Sequence, residues 1–410
     1  ERTLRLFDER GGEIPYQFSA SPQPRPKLRP LAPGTSPNVS YAAEYAVTNV
    51  PLNLGVSGEL AWIVTKSKST NAKFELRFST PKSGRIVQTP FPPENFRMFD
   101  DAGHATSARW FPNLQLHPQW PIDGVVHFSE NTNPITSYHL GPAVGAAAGA
   151  ARRPYFYPVY GPDNIGLTEF GKPHDPTGSH AHHYSLWIAH NDVDGASFWS
   201  ERGGIIAHET LDLMEDGPIF SRVAQTARWQ NENHDVLRER RIITAYKAAK
   251  DFRCVDIEIA LSPASSNSVT FGKTSFGFLA ARVAQSMTVF DGAGEIRTSA
   301  GKLNESGAHL THAKWLDHSG PIAEGKWGGI AILDSPDNPN FPTGWHCRND
   351  GWAGAAFNMD APYQLELGKQ LRLRYRVILH RGDAAKANID RRFEEWAARP
   401  KIKIGVAKKL

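Results

Sequence analysis

Five histidines fall within the seventeen positions of HDPTGSHAHHYSLWIAH, residues 174–190. Imidazole titrates near neutral pH and is the commonest metal ligand. The run therefore reads as an acid–base site, a metal site or the polar entrance of a strand. If a strand begins at residue 182, His182, Tyr184, Leu186, Ile188 and His190 project to one face. His183, Ser185, Trp187 and Ala189 then project to the other. His180 and His182 share a direction with Tyr184. Such a His-x-His pair binds a divalent metal, Zn or Ca, if a third ligand arrives from elsewhere. Beside a tyrosine it can instead transfer protons. The preceding HDPTGS is the kind of loop that carries sites on rigid scaffolds. His174 within it reads as solvated.

Three further clusters carry chemistry. In DSPDNPNFPTGWHCRNDGW, Trp345, His346 and Arg348 arrive together after a run of turn residues. Arginine offers a planar fork for a carboxylate or a pair of sugar hydroxyls, and tryptophan a flat apolar face for a sugar ring. RERRIITAY places Glu239 and Arg240 ahead of an apolar run. VTFGKTSFGFLAARVAQSM carries Lys273 and, in an otherwise apolar strand, Arg282, which must pair with a carboxylate or line a cleft. Asp175, Glu209 and Glu239 are the carboxylates available for hydrolysis, which needs two. No Gly-rich phosphate loop, GxSxG elbow or HExxH is present, which disfavours nucleotide chemistry, hydrolase-fold serine catalysis and zincin chemistry.

The elements that must position these residues read as strands. Eleven Trp, 11 Tyr, 21 Phe, 35 Gly and 30 Pro in 410 residues suit an all-β chain with many turns. CVDIEIAL alternates Val255, Ile257, Ile259 and Leu261 with Asp256 and Glu258, the period of a half-buried strand. LRLRYRVILHR sets Leu371, Leu373, Tyr375, Val377 and Leu379 against a row of Arg372, Arg374 and Arg376, read as a solvated face. One helix is expected, in KANIDRRFEEWAA, where Ile389, Phe393 and Trp396 share a side and Pro400 ends it. The SPQPRPKLRPLAPGTSP stretch, 21–37, reads as an extended loop. Strands are expected on either side of it, in TLRLFDE, SYAAEYAV, GELAWIVT, FELRFST and GRIVQTPF. VGAAAGAA, 144–151, reads as a linker. The division expected is an N-terminal β layer over 1–140 and a main sandwich over 150–400, or one continuous domain.

A net charge of +4 from 46 basic and 42 acidic residues is weak for a nucleic-acid binder, so no nucleic-acid partner is expected. No apolar run approaches the roughly 18–20 residues of a membrane helix, so no membrane partner is expected either. Cys254 and Cys347 form no metal motif and read as free thiols. The start at Glu1 without Met suggests processing, and the expectation is a secreted or periplasmic protein, with a cytoplasmic one as the alternative.

Along 152–397 the chain resembles the PmoA-like family, named for methane oxygenase. RRPYFYPVYGPDNIGLTEF, SHAHHYSLWIAHNDVDGASFW, RERRIITAY, VTFGKTSFGFLAARVA, WGGIAILDSPDNPNFPTGWHCRNDGW and RVILHRGDA follow in the expected order. Members typically read Asp-His-Pro-His-His-Arg-Ser-Leu-Trp. This chain keeps His180, His182 and His183 but has Ser179 and Tyr184 in place of the acid and the arginine. The family's Lys-Glu-Gly is Ser275, Phe276 and Gly277 here, while Trp345, His346 and Arg348 are intact. The resemblance implies a galactose-mutarotase-like supersandwich, a fold that often serves carbohydrate-active enzymes.

The combined expectation is a large antiparallel β-sandwich with one short C-terminal helix, acting as a carbohydrate lyase on a uronate-type ring. His180, His182, Tyr184 and His346 are the candidate catalytic residues. Arg348, Arg240, Arg282, Trp345, His183, Glu239 and His190 are candidates for binding substrate. No cofactor is required, and His180 and His182 would hold any metal. The alternatives are a glycoside hydrolase, a non-catalytic sugar-binding sandwich and a metal-dependent oxygenase-like protein.

Overall fold

A computed structural model of the chain describes residues 4–14, 16–20, 58–62, 74–78, 106–111, 124–130, 133–145, 151–171, 180–215, 219–232 and 234–398. His174, Asp175, the Pro-rich loop at 21–37 and the strands expected in SYAAEYAV and GRIVQTPF lie outside the described residues. Two compact units divide the chain: residues 1–103, 217–219 and 401–410 form one, and 104–216 with 220–400 form the other. In the first, Leu4–Asp8 pairs antiparallel with Glu13–Ile14 and Phe74–Phe78, and Tyr16–Ala20 pairs with Gly58–Trp62.

The second unit holds a nine-stranded and an eight-stranded antiparallel sheet. Alternation explains why they stack. Phe156 and Leu186 are register partners on adjacent strands, and antiparallel partners share a face. Phe156 lies 4.7 Å from the ring of Tyr138. The Tyr138 hydroxyl reaches Gln225 on the eight-stranded sheet, so this face of the nine-stranded sheet points into the sandwich. Trp229, from the eight-stranded sheet, packs there against Phe198 at 4.9 Å and stacks on Phe278 at 5.9 Å.

The Leu371–Arg381 strand follows the expected alternation, with Leu371, Leu373, Tyr375, Val377 and Leu379 buried. On its other face Arg372 is exposed as read in the sequence, while Arg374 and Arg376 depart from that solvated row. Arg374 and Arg376 both bind the buried Asp256 of the adjacent strand, at 3.2 and 2.6 Å. Both guanidinium groups also lie over Trp396, at 4.9 and 5.4 Å. Trp396 belongs to the helix Ile389–Ala397, which buries Ile389, Phe393 and Trp396 as their spacing requires. A cation–π contact and an ion pair together let the helix cover a basic sheet face.

The all-β sandwich with a short C-terminal helix is thus the architecture of the chain; a five-residue helix, Asn304–Ala308, adds to it. Strands Thr106–Phe111, Val125–Glu130 and Asn133–His139 hydrogen-bond into the same nine-stranded sheet as Leu186–His190. Cys254 and Cys347 are buried free thiols. Among the described residues no helix is long and apolar enough to cross a membrane.

Candidate functional site

The candidate site sits on the face of the nine-stranded sheet turned away from the sandwich interior. Four strands in register build it. Trp187 pairs with Ala280, Ala280 with Gly354, and Gly354 with His346. One line therefore runs from an indole to an imidazole across two small residues. Arg282 and Trp352 are paired on the same face one step along. Trp199 closes the cluster from a loop, with its ring 5.3 Å from Trp187 and 5.5 Å from Trp352. Phe276, 38% exposed, stacks on Trp352 at 6.0 Å and stands 4.7 Å from His346.

The histidine run enters this face in a way that simple alternation does not give. Ser185 adopts a left-handed backbone, φ 65°, rare for a residue with a side chain. That residue resets the pleat. His183 stacks on Trp187 at 5.3 Å, as alternation gives, but Tyr184 joins the same cluster. His182 lies 4.5 Å from His183, ring to ring, and His180 lies 5.0 Å from it. The expected split, with His182 and Tyr184 on one face and His183 on the other, is corrected: all three gather on one side. His190 goes to the opposite side. It is fully buried, accepts from the Asp192 N–H on Nδ1 and donates from Nε2 to Asn358 at 2.9 Å.

Charge beneath the histidines fixes their protonation. Arg282, 1% exposed, donates from Nη1 to His183 Nδ1 at 2.8 Å and from Nη2 to the Asp350 carbonyl at 2.9 Å. A guanidinium has no acceptor, so His183 must carry its proton on Nε2. Burial, with His182 and Arg282 close by, holds the His183 imidazole well below its usual pKa. Burial, Arg153, His180 and Arg282 likewise pull His182 down to about 4. His182 is therefore a neutral imidazole at neutral pH and remains partly exposed. The Asp350 carboxylate stands 3.8 Å from Arg282 and 3.6 Å from His180 Nε2.

Other expected site residues are placed differently. Tyr184 is 1% exposed, its ring stacked on Phe170 and its hydroxyl donating to Glu201 at 3.0 Å; burial raises its pKa. It supports Glu201 rather than meeting a substrate. Trp345 points away from His346 by strand alternation, is fully buried and donates to the Ala313 carbonyl at 2.9 Å. Glu239 belongs to the sandwich interior, 2.5 Å from the guanidinium of Arg241 and bonded by Trp229 Nε1 at 2.7 Å. Arg240 is exposed on the eight-stranded sheet, in the strand that carries Glu239. Glu209 is held by Arg228, which lowers its pKa. Arg348 is exposed at the rim, 2.8 Å from Glu305.

His346 does line the site, with Nδ1 3.0 Å from the Ser275 hydroxyl and its ring 4.6 Å from that of His309. Burial and the neighbouring His309 and Arg348 hold it near 3. Sequence reasoning missed Asp350, Arg153, Trp199 and Glu201. Asp350 lay two residues beyond Arg348 in a block already singled out, where an acid opposite a buried arginine was the missing partner of Arg282. Among the described residues, no group of three or more His, Cys, Asp or Glu side chains has an arrangement that could hold a metal ion.

A family of unknown function (DUF6807) matches residues 126–394, more than half of the chain, and the chain belongs to that family. This corrects the PmoA-like resemblance: no PmoA-like family matches, and the oxygenase-like alternative that rested on that name loses its basis. No curated protein matches the chain. Among solved structures it is similar to the heparan sulfate lyase HepC from Pedobacter heparinus, at 10% identity and TM-score 0.34, over 64% of this chain and 36% of that one. It is also similar to a GalM/aldose epimerase homologue from C. elegans, at 9% identity and TM-score 0.27, over 68% and 99% of the two chains. A 4-alpha-glucanotransferase from Thermococcus litoralis follows, at 7% identity and TM-score 0.25, over 67% and 39%. The matched part spans about a third of the length of the lyase.

Proposed function

We propose that this member of the DUF6807 family is a carbohydrate-active enzyme, a lyase that removes a proton from a uronate-type sugar ring. The observation that carries the reading is the neutral, partly exposed His182, 4.5 Å from the ring of His183, which a buried guanidinium holds, and 6.3 Å from the ring of Trp199. A general base must be unprotonated at working pH and within reach of solvent-side substrate. His182 meets both conditions.

In the proposed step His182 takes the proton on the carbon next to the sugar carboxylate. The C–H electrons form a carbon–carbon double bond as the glycosidic C–O bond beta to the carboxylate breaks. The departing oxygen takes a proton from His180, whose Nε2 stands 3.6 Å from the Asp350 carboxylate. Negative charge developing toward the carboxylate is stabilised by the charge of Arg282, relayed through the buried His183 that it bonds. Arg282 acts through His183, since it is buried and both of its Nη atoms are bonded within the protein. Phe276, stacked on the buried Trp352, supplies apolar surface for a sugar ring.

A hydrolase on the same face is the weaker reading, because Glu209 and Glu239 are both committed to arginines and retaining or inverting hydrolysis needs two working carboxyl groups. The test is incubation of the full chain with uronate-containing oligosaccharides, followed by ultraviolet absorbance of the conjugated unsaturated product. The expected result is chain cleavage with a rise in absorbance. Cleavage without that rise would refute the lyase reading.

A further inference from the structure

Arg153 is fully buried, yet it carries a charge that desolvation penalises by several kcal/mol. Its bonds show what the charge holds. Nη1 donates to the carbonyl of His182 at 3.0 Å. Nη2 donates to the carbonyl of Trp199 at 2.8 Å and to that of Ser200 at 3.3 Å. The Glu201 carboxylate lies 3.7 Å from Nη2, and the same carboxylate accepts the Tyr184 hydroxyl. The guanidinium plane covers the Tyr184 ring at 4.5 Å. Two chain segments remote in sequence, the histidine run and the Trp199 loop, thus meet on one side chain.

We propose that Arg153 is a positioning residue that clamps His182 to the Trp199–Glu201 segment, fixing the spacing between the proposed base and its aromatic wall. The inference rests on the reading of His182 as the proton acceptor. A planar fork with donors diverging from one carbon holds both carbonyl groups in fixed directions; an ammonium offers three rotatable donors on one compact centre. Arg153 itself touches no substrate. The clamp works through the backbone of His182; that imidazole also feels the charge of Arg153 itself, together with His180 and Arg282, and Glu201 is the counter-charge of Arg153.

The experiment compares the unmodified chain with Arg153→Met, Arg153→Lys and Glu201→Gln. Hydrogen exchange, read by mass spectrometry on peptides covering 180–184 and 199–201, reports the clamp without reference to any substrate. Arg153→Met is expected to raise exchange in both segments together, by about tenfold or more. Arg153→Lys is expected to do so nearly as much, since it keeps the charge and loses the fork. Glu201→Gln, which keeps an oxygen for the Tyr184 hydroxyl, is expected to loosen 199–201 more than 180–184. Steady-state kinetics on the uronate turned over should then show kcat falling in Arg153→Lys with KM nearly unchanged. Exchange that rises in only one segment with Arg153→Lys, or in neither, overturns the clamp, as does a raised KM at unchanged kcat. If Arg153→Met does not fold, Arg153→Lys carries the comparison. A failed lyase reading looks different: the unmodified chain yields no unsaturated product, while the two segments still loosen together.

Discussion

Lowering the pH from 7 to 5 should remove a measurable part of the folding free energy, and the histidines decide how much. His318 is 2% exposed between the sheets, and burial pulls it down to about 4. His346 is 5% exposed, and burial first, then His309 and Arg348, bring it to about 3. In the unfolded chain both return to about 6.5. A group depressed on folding contributes stability above its unfolded pKa and loses it as pH falls toward the folded one. At pH 5 each unfolded imidazole is almost wholly protonated and each folded one is not, so each removes about 2 kcal/mol. Asp334 works the other way. Burial raises its carboxyl to about 7 despite bonds from Asn338 and the Thr343 N–H. Its folded form binds a proton first, so stability is regained between pH 7 and 5, again by about 2 kcal/mol. These three groups sum to a loss of about 2 kcal/mol, and His182 and His208, each drawn down to about 4 chiefly by burial, and the depressed His183 all enlarge it in the same direction. Against a typical total of about 5–15 kcal/mol this is readily resolved. Urea unfolding at the two pH values, with equal slopes, gives the difference. His318→Gln should shrink the pH effect by about 2 kcal/mol. Equal stability at pH 5 and pH 7, or a His318→Gln variant with the unmodified pH response, would refute the reasoning.

Other outcomes follow from single sites. His182→Gln should lower the rate of unsaturated-product formation by at least about a hundredfold with little change in melting temperature, checked by absorbance and calorimetry. Arg282→Met leaves His183 Nδ1 and the Asp350 carbonyl without their donor, and should cost about 1–3 kcal/mol in urea unfolding as well as activity. Glu239→Gln breaks a fully buried pair with Arg241 and should destabilise by about 3–5 kcal/mol while leaving the kinetics of the folded fraction unchanged. Gly329→Ala would set a methyl group 2.3 Å from His380 Cε1, displacing the ring from its 2.6 Å contact with buried Asp317; lowered stability in the same assay is the expected result.

Much of the architecture was legible in the sequence because it follows from local periodicity. Alternation in CVDIEIAL and LRLRYRVILHR marks strands wherever they end up, and the spacing of Ile389, Phe393 and Trp396 marks a helix. The histidine run and the Trp-His-x-Arg block stood out because unusual residue types cluster there. What periodicity could not supply was the partner on the far side of each strand. The arginine row looked solvated because its cover, Trp396, comes from a helix later in the chain. Trp345 looked available because nothing local shows the Ala313 carbonyl meeting it, and Glu239 because alternation sets it beside Arg241 without showing that the face they share is buried.

The sequence by itself determined an all-β sandwich, its closing helix and the stretch of histidines that marks one face. Tertiary structure alone decided which histidines meet. A single left-handed residue, Ser185, turns His183 and Tyr184 toward the same side. Strand register then aligns Trp187 with His346 through Ala280 and Gly354. Arg282 and Asp350, far apart in the chain, fix the proton on His183 and stand beside His180. The physical reason is that hydrogen-bond partners and desolvation belong to neighbours in space, and those neighbours are chosen by sheet pairing rather than by sequence distance.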